Sequence, residues 1–134
     1  MNSEEMPKCV LLADRHHDLI EGIHGLLATT FATVVMVADE NSLVESADRM
    51  RPTLVVADLS LAGGGSFSWL RQRLAQSPAS KVIVLSVHDE PSVVQSVLEA
   101  GASGFVLKRA IASDLLAAVD AVLGGERYVS PAIQ

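Results

Sequence analysis

Five short apolar runs, separated by segments with helical spacing, constrain the fold of this chain more than any other feature of its sequence. The runs cover residues 9–13, 34–37, 53–57, 82–85 and 105–107, and most are rich in β-branched residues, as strands are. Apolar residues recur every three or four positions between and after them, most clearly at Leu115, Val119 and Val122. Strands that alternate with helices in this way predict an α/β fold, with a parallel sheet covered by helices on both faces.

Composition agrees with a single domain of this class. The chain has 134 residues, which is enough for one substantial core. Hydrophobic residues make up 49% of it and aromatic residues only 4%, so the core must consist of Val, Leu, Ile and Ala. Such a core suits a parallel sheet buried on both sides.

Charge, hydropathy and cysteine content argue against a nucleic-acid-binding domain, a membrane protein and a secreted protein. The net charge is −6 and the pI is near 5.0, so this domain is not expected to bind a phosphate backbone. No apolar stretch reaches the length of a membrane span, and residues 1–5 carry acid where a signal peptide carries base. We therefore expect a cytoplasmic protein without membrane contact. Cys9 is the only cysteine, and its apolar run predicts a buried thiol.

Local signals suggest where the helices begin and end. Pro91 suits a first helical position, and Gly101 and Gly124 suit helix exits. Ser113 is placed to be an N-cap, since Asp114 follows it in what would be the first turn. A further helix is expected at 67–74.

Four polar side chains, Asp14, Asp58, Ser86 and Lys108, each directly follow an apolar run. Because the carboxyl ends of parallel strands meet at one edge of the sheet, all four should converge there, where open α/β sheets bind their ligands. Taken singly, an Asp at that position is more often a turn residue and a Lys is usually a solvated charge. Their joint placement favours a functional site.

The chemistry that these four groups could support is the formation of an acyl phosphate. Asp58 is the best-placed nucleophile toward a phosphoryl donor, as carboxylates are in covalent catalysis. Lys108 would supply an ammonium group and Ser86 a hydroxyl donor for the added negative charge. Asp14 would help to hold Mg²⁺, which prefers carboxylates, a carbonyl and water.

Histidines offer a less specific signal. His16, His17, His24 and His88 have no zinc-like spacing and no cysteine pair beside them, so ordinary surface or loop histidines are expected. His88 lies nearest to the predicted site, and one hypothesis is that it tunes access to Asp58.

Taken together, the motifs resemble the receiver domain of bacterial two-component response regulators, within the LuxR-type (NarL/FixJ-like) group. The resemblance runs from about residue 8 to residue 133. It rests on VLLAD at 10–14, VVADL at 55–59, VLS at 84–86 and AGASGFVLK at 100–108. The segment GGERYVSP at 124–131 resembles the linker that leads to a DNA-binding domain.

This resemblance implies a flavodoxin-like fold, a doubly wound sheet of five parallel strands in the order 2-1-3-4-5. It implies a receiver domain at 1–124 and the start of a linker, or a C-terminal tail, at 125–134. Asp58 would be the phosphoacceptor, Lys108 the lysine that assists it, and Ser86 and Phe105 the switch pair. Asp14, Asp58 and the carbonyl of Ser60 would hold Mg²⁺.

Two positions depart from the family pattern. Arg15 occupies the place of a second acid that usually contacts the metal, and Ala62 replaces a common proline before the glycines at 63–65. With Arg15, the two carboxylates and the two cations of the pocket cancel. Exchanging a negative for a positive charge about 5 Å from Mg²⁺ costs about 10 kcal/mol before relaxation at an effective dielectric near 20.

Two outcomes compete for Arg15. In the favoured one, Arg15 turns inward, pairs with Asp58 and replaces the charge of the metal, which leaves a metal-poor domain with impaired phosphorylation. In the other, Arg15 turns outward, and Asp14, Asp58 and Ser60 still bind Mg²⁺ weakly.

Three functions follow as hypotheses. The first is a signalling switch, phosphorylated on Asp58 by a histidine kinase or phosphotransfer protein, able to form a homodimer and to reach DNA only through a C-terminal effector domain. The second is a phosphorylation-independent pseudo-receiver that acts as a protein–protein interaction module. An enzyme such as an aspartyl phosphatase is not expected, because Ser60 occupies the place of its acid/base carboxylate.

Overall fold

The computed structural model describes residues 9–62 and 81–131, and it forms one parallel sheet in the order β2-β1-β3-β4-β5-β6. The strands are β1 (Cys9–Ala13), β2 (Thr33–Val37), β3 (Leu54–Asp58), β4 (Lys81–Ser86), β5 (Gly104–Leu107) and β6 (Tyr128–Val129). The predicted fold class and the order of the first five strands are confirmed. The sixth strand is a small difference, since five were expected from the sequence.

Four α-helices and two short 3₁₀ turns connect the strands within these residues. They are α1 (His17–Leu27), α2 (Glu40–Met50), α3 (Pro91–Glu99), α4 (Ile111–Leu123) and the turns Leu59–Ala62 and Lys108–Ala110. The glycines at 63–65 and the helix expected at 67–74 lie outside the described residues. No helix in the described part of the chain is long and apolar enough to span a membrane.

Helix boundaries follow the local signals at most positions. Asp39 caps α2 by accepting a hydrogen bond from Ser42 N at 2.7 Å. Pro91 begins α3 as predicted, and Gly101 follows its end with a φ of 115°, a conformation that favours glycine. Ser113 is not an N-cap. The 3₁₀ turn after β5 runs straight into α4, so that helix begins at Ile111 and the Ser113 hydroxyl bonds to Ala110 O instead.

The core has two layers, one on each face of the sheet. Alternate residues of β1 divide between them: Leu11 packs on the side of α2 and α3, and Leu12 on the side of α1 and α4. The middle strands are therefore buried on both faces, which explains their continuous apolar runs. Cys9 is the first residue of β1 and is only half-buried. The expectation of a buried thiol is therefore wrong.

Strand β6 belongs to the segment that resembles a linker, and it is held firmly against β5. Tyr128 N donates to Ser103 O at 3.1 Å, and Ser130 N donates to Phe105 O at 3.0 Å. Ser130 is fully buried, and its hydroxyl accepts a hydrogen bond from Leu107 N at 3.0 Å. The end of β5, directly before Lys108, is thus fixed by the chain that follows α4.

Candidate functional site

The four polar residues predicted to converge do lie at the carboxyl edge of the sheet. Asp58 and Ser86 are the last residues of β3 and β4, one position further inside the strands than the sequence suggested. Asp14 directly follows β1, and Lys108 directly follows β5. Asp14, Asp58 and Ser86 are buried polar residues, 1%, 3% and 1% exposed. Groups of this kind need compensating partners.

Lys108 provides that compensation for both carboxylates. Its Nζ lies 3.0 Å from Asp14 Oδ2 and 3.2 Å from Asp58 Oδ2, and its side chain is only 8% exposed. One ammonium group therefore bridges two buried acids, and charge pairs at this depth are screened little by solvent. Among the described residues, the partner of Asp14 Oδ2 is the ammonium group of Lys108, through this ionic contact.

The turn after β3 holds the carboxylate of Asp58. Ser60 N donates to Asp58 Oδ1 at 3.2 Å, and the Ser60 hydroxyl donates to Asp58 Oδ2 at 2.6 Å. The same oxygen thus accepts from Ser60 and contacts Lys108. Both contacts must adjust if this oxygen reacts.

His16 also belongs to the site, although an ordinary loop histidine was expected from the sequence. Its Nδ1 lies 2.9 Å from Asp14 Oδ1, 3.1 Å from Lys108 Nζ and 3.8 Å from Asp58 Oδ2. The available signal was local: Asp side chains often bond to the backbone two residues on, and here His16 N donates to Asp14 Oδ1 at 2.9 Å. That turn brings the imidazole back over the carboxylate.

Arg15 turns outward, as in the second of the two expected outcomes, and not inward toward Asp58. Its side chain is exposed, and Nη2 donates to the carbonyl of Ser60 at 3.3 Å. Within the described residues, the ion-pair partners of Asp58 are Lys108 and His16, so the expected Arg15–Asp58 pair is not formed. The guanidinium instead covers the carbonyl that was expected to bind Mg²⁺.

Ser86 ends β4 at the edge of the sheet that carries the site, and neither Ser86 nor Phe105 contacts Asp58 in any described interaction. The Ser86 hydroxyl accepts from His88 N at 2.8 Å and donates to His88 O at 3.2 Å, which closes a tight turn after β4. Phe105 is fully buried in the core layer on the side of α2 and α3. The side chain of His88 points toward Glu90, with Nδ1 3.7 Å from Oε2.

Three side chains, Asp14, His16 and Asp58, offer ligand atoms that all lie within 4.8 Å of one another. An acidic site of the kind at which receiver domains typically bind Mg²⁺ is therefore present. The donor set does not fit Mg²⁺ itself, which requires oxygen ligands in octahedral geometry. The carbonyl of Ser60 is bound by Arg15, and the third side chain of the cluster is an imidazole.

Comparison with known proteins identifies the class that this fold and site define. Residues 10–120 match the family model described as "Response regulator receiver domain". The match covers most of the chain, and the chain belongs to this family. Members of the family act as regulatory domains.

Relatives narrow the class further. The chain is 32% identical over 126 residues to the transcriptional regulatory protein DegU of Brevibacillus brevis, and the match covers 92% of this chain and 53% of that protein. It is 34% identical over 127 residues to the response regulator GacA of Pseudomonas syringae, covering 92% of this chain and 59% of that one. The chain thus spans little more than half the length of these curated relatives.

Solved structures of response regulators have the same fold as this chain. A LuxR-family two-component response regulator from Aurantimonas sp. SI85-9A1 superposes with a TM-score of 0.86 and 29% identity, covering 96% of this chain and 93% of that one. The isolated receiver domain of RcsB from Salmonella enterica superposes with a TM-score of 0.83 at 24% identity, which shows the fold alone. The LuxR-type group suggested by the sequence is supported.

Proposed function

We propose that Asp58 accepts a phosphoryl group from a histidine kinase or a phosphotransfer protein. The observation that carries this proposal is the placement of Asp58 Oδ2, nearly buried and 3.2 Å from Lys108 Nζ at the carboxyl edge of the sheet. A carboxylate that faces an ammonium group at the mouth of the site can act as a nucleophile.

The transfer forms one bond and breaks another. An Asp58 oxygen attacks phosphorus, the bond between phosphorus and the donor nitrogen breaks, and the donor imidazole leaves with the electron pair and takes up a proton. Lys108 stabilises the charge that develops on the phosphoryl oxygens, because its ammonium group already faces the attacking carboxylate. The Ser60 hydroxyl must turn away from Oδ2, and the Ser86 hydroxyl must leave the His88 turn to donate to the phosphoryl group.

Arg15 weakens the binding of Mg²⁺ in this proposal. Two carboxylates already face the ammonium group of Lys108, and the Arg15 guanidinium binds the carbonyl of Ser60, so the pocket has little net negative charge with which to attract a divalent ion. We therefore expect phosphorylation of Asp58 to be slow and to depend only slightly on Mg²⁺. The resident cations supply part of the charge that the metal would supply.

The output of this switch is proposed from the relatives. Phosphorylation would shift the population of two conformations through Ser86 and Phe105, with residues 125–134 leading toward an effector domain. DNA would be reached only through that domain, a homodimer would be one means of regulation, and the site of action would be the cytoplasm. The family and the relatives support this phosphorelay role over a phosphorylation-independent interaction module.

Labelling by a small phosphodonor tests the proposal. The wild-type chain should incorporate one phosphoryl group slowly, Asp58→Asn should incorporate none, and Asp120→Asn should behave as the wild type. Asp120 is a suitable control because it is an exposed acid on α4, away from the site. Equal labelling of Asp58→Asn and the wild type would reject Asp58 as the acceptor.

A further inference from the structure

Ser130 lies just beyond the last strand, yet it bonds to β5 at two places. Its backbone N–H donates to Phe105 O at 3.0 Å, and its hydroxyl oxygen accepts from Leu107 N at 3.0 Å. Ser130 and Leu107 are both 0% exposed, so solvent does not reach these contacts. A single residue of the chain that follows α4 therefore holds the last three residues of β5.

The Ser130 hydroxyl acts where β6 is too short to pair with β5. Strand β6 ends at Val129, and its register with β5 ends at the pair of Phe105 and Val129. In a parallel ladder, alternate residues direct their backbone groups to the same neighbouring strand, so Leu107 N faces the same side as Phe105 O. The hydroxyl supplies the acceptor that this buried N–H needs.

Leu107 determines where the side chain of Lys108 starts. It is the last residue of β5 and, in extended conformation, the cap of the 3₁₀ turn Lys108–Ala110. The Lys108 side chain is only 8% exposed, and its nitrogen lies 3.0 Å from Asp14 Oδ2 and 3.2 Å from Asp58 Oδ2. A buried side chain with two such contacts has little room to absorb a shift of its backbone, because protein interiors are closely packed.

We propose that Ser130 is a positioning residue for the phosphoacceptor site: through Leu107 it fixes the backbone from which Lys108 reaches the two acids. This inference rests on the proposed function, in which Lys108 stabilises the transferred phosphoryl group. Ser130 touches neither carboxylate in any described contact, so it acts through β5. The segment that resembles a linker thus takes part in the site of the domain that it follows.

Labelling of Asp58 by a small phosphodonor measures the effect on the reaction. Because a misplacement of about 1 Å can slow a reaction about 100-fold, Ser130→Ala should be labelled at least about tenfold more slowly than the wild type. Ser130→Thr keeps a hydroxyl group at this position and should restore most of the rate. Ser130→Cys has a similar volume but offers only a weak acceptor, so it should also be slow, and it replaces Ser130→Ala if that variant does not fold.

Two controls separate position from other effects. Tyr128→Phe removes a hydroxyl group from β6 that bonds to Asp114 on α4 and not to β5. Ile23→Val trims the buried core at α1 and lowers stability without removing a hydrogen bond. Both variants should be labelled as fast as the wild type.

The ammonium group of Lys108 allows a second measurement, which needs no phosphorylation. While the group is held between two carboxylates, its protons exchange slowly with water, and the rate can be measured by NMR on ¹⁵N-labelled protein. That exchange should be at least about tenfold faster in Ser130→Ala and Ser130→Cys, because a group released from its partners loses its protection. It should be unchanged in Tyr128→Phe.

Labelling of Ser130→Ala at the wild-type rate, or unchanged exchange of its Lys108 ammonium protons, would overturn the inference. An equal loss of labelling in Ile23→Val would also overturn it, because it would show a general effect of stability. The proposed function is tested separately. A wild type that is not labelled, together with faster Lys108 exchange in Ser130→Ala, would count against the phosphoacceptor and support the positioning role of Ser130.

Discussion

At the scale of single residues, the site depends on charges supplied by the chain itself. Lys108 bridges Asp14 and Asp58, Arg15 covers the carbonyl of Ser60, and His16 lies over Asp14. Every oxygen that was expected to bind Mg²⁺ thus has a partner from the protein. The two buried acids are therefore stabilised by the fold before any ligand enters.

Replacing Arg15 by Asp should restore a magnesium site. The change frees the carbonyl of Ser60 and adds a carboxylate, so Mg²⁺ affinity should rise by at least about tenfold, which corresponds to about 1.4 kcal/mol. Thermal unfolding with and without millimolar Mg²⁺ provides the measurement. The Tm of Arg15→Asp should rise with Mg²⁺, while the wild type should not change.

Arg49→Asp is the control for that experiment, because Arg49 is an exposed arginine in the last turn of α2. It should not gain a response to Mg²⁺. A wild-type Tm that already rises with Mg²⁺ as much as that of Arg15→Asp would show that Arg15 is not the obstacle.

The sequence predicted the place of a site residue only where that residue lies at the end of a strand. Asp14, Asp58, Ser86 and Lys108 each end or follow an apolar run, so strand order alone brings them to one edge. His16 and Arg15 lie in a loop, where side-chain direction depends on a turn and on the neighbouring segment after β3. His16 was therefore wrongly expected to lie outside the site, and the contact of Arg15 with the Ser60 carbonyl was not predicted.

At the scale of the elements, tight packing and hydrogen bonds fix the position of β5, the strand that leads from the core to Lys108. It is pressed between β4 and α4 at Gly104, where an added Cβ would lie 2.9 Å from Ile83 Cγ1 and 3.3 Å from Val122 Cγ2. It is fixed at its other end by Ser130. The strand that leads to Lys108 therefore has little freedom to shift.

Gly104→Ala should destabilise the domain by about 1–3 kcal/mol, the usual cost of overpacking a core. Gly25→Ala is the matched control, since Gly25 lies in α1 and an added methyl group there would meet nothing within 4 Å, and it should stabilise the fold by about 0.5–1 kcal/mol. Urea unfolding of both variants gives the comparison. Equal stability of Gly104→Ala and the wild type would show that β4 and α4 yield readily around β5.

Tyr128 should make β6 sensitive to alkaline pH. Burial raises the pKa of Tyr128 above its ordinary value of 10.0, and the charge of Asp114 and a hydrogen bond to it raise it further. The folded state thus retains a proton that the unfolded chain loses, so this stabilisation is complete below pH 10 and is lost as the pH rises through the folded pKa.

Comparing the wild type with Tyr128→Phe isolates that effect. Between about pH 9 and about pH 11, urea unfolding should show a steeper loss of stability in the wild type, because phenylalanine has no proton to lose. Parallel pH profiles for the two proteins would contradict the raised pKa of Tyr128.

At the scale of the whole molecule, the alternation of strands and helices determined nearly all that could be predicted. A doubly wound parallel sheet follows from the periodicity, and its carboxyl edge follows from the topology. The sixth strand could not be predicted in the same way. It is two residues long, and it forms because Ser130 and the backbone of β5 complete each other's hydrogen bonds.

One measurement tests the central claim, that the sheet edge is a phosphoacceptor site centred on Asp58. The chain is treated with a small phosphodonor and then with borohydride, which reduces an aspartyl phosphate to homoserine, and the modified residue is located by peptide mass spectrometry. The account predicts homoserine at position 58, formed slowly in the wild type and faster in Arg15→Asp with Mg²⁺. Homoserine at another aspartate, or none in either protein, would contradict it.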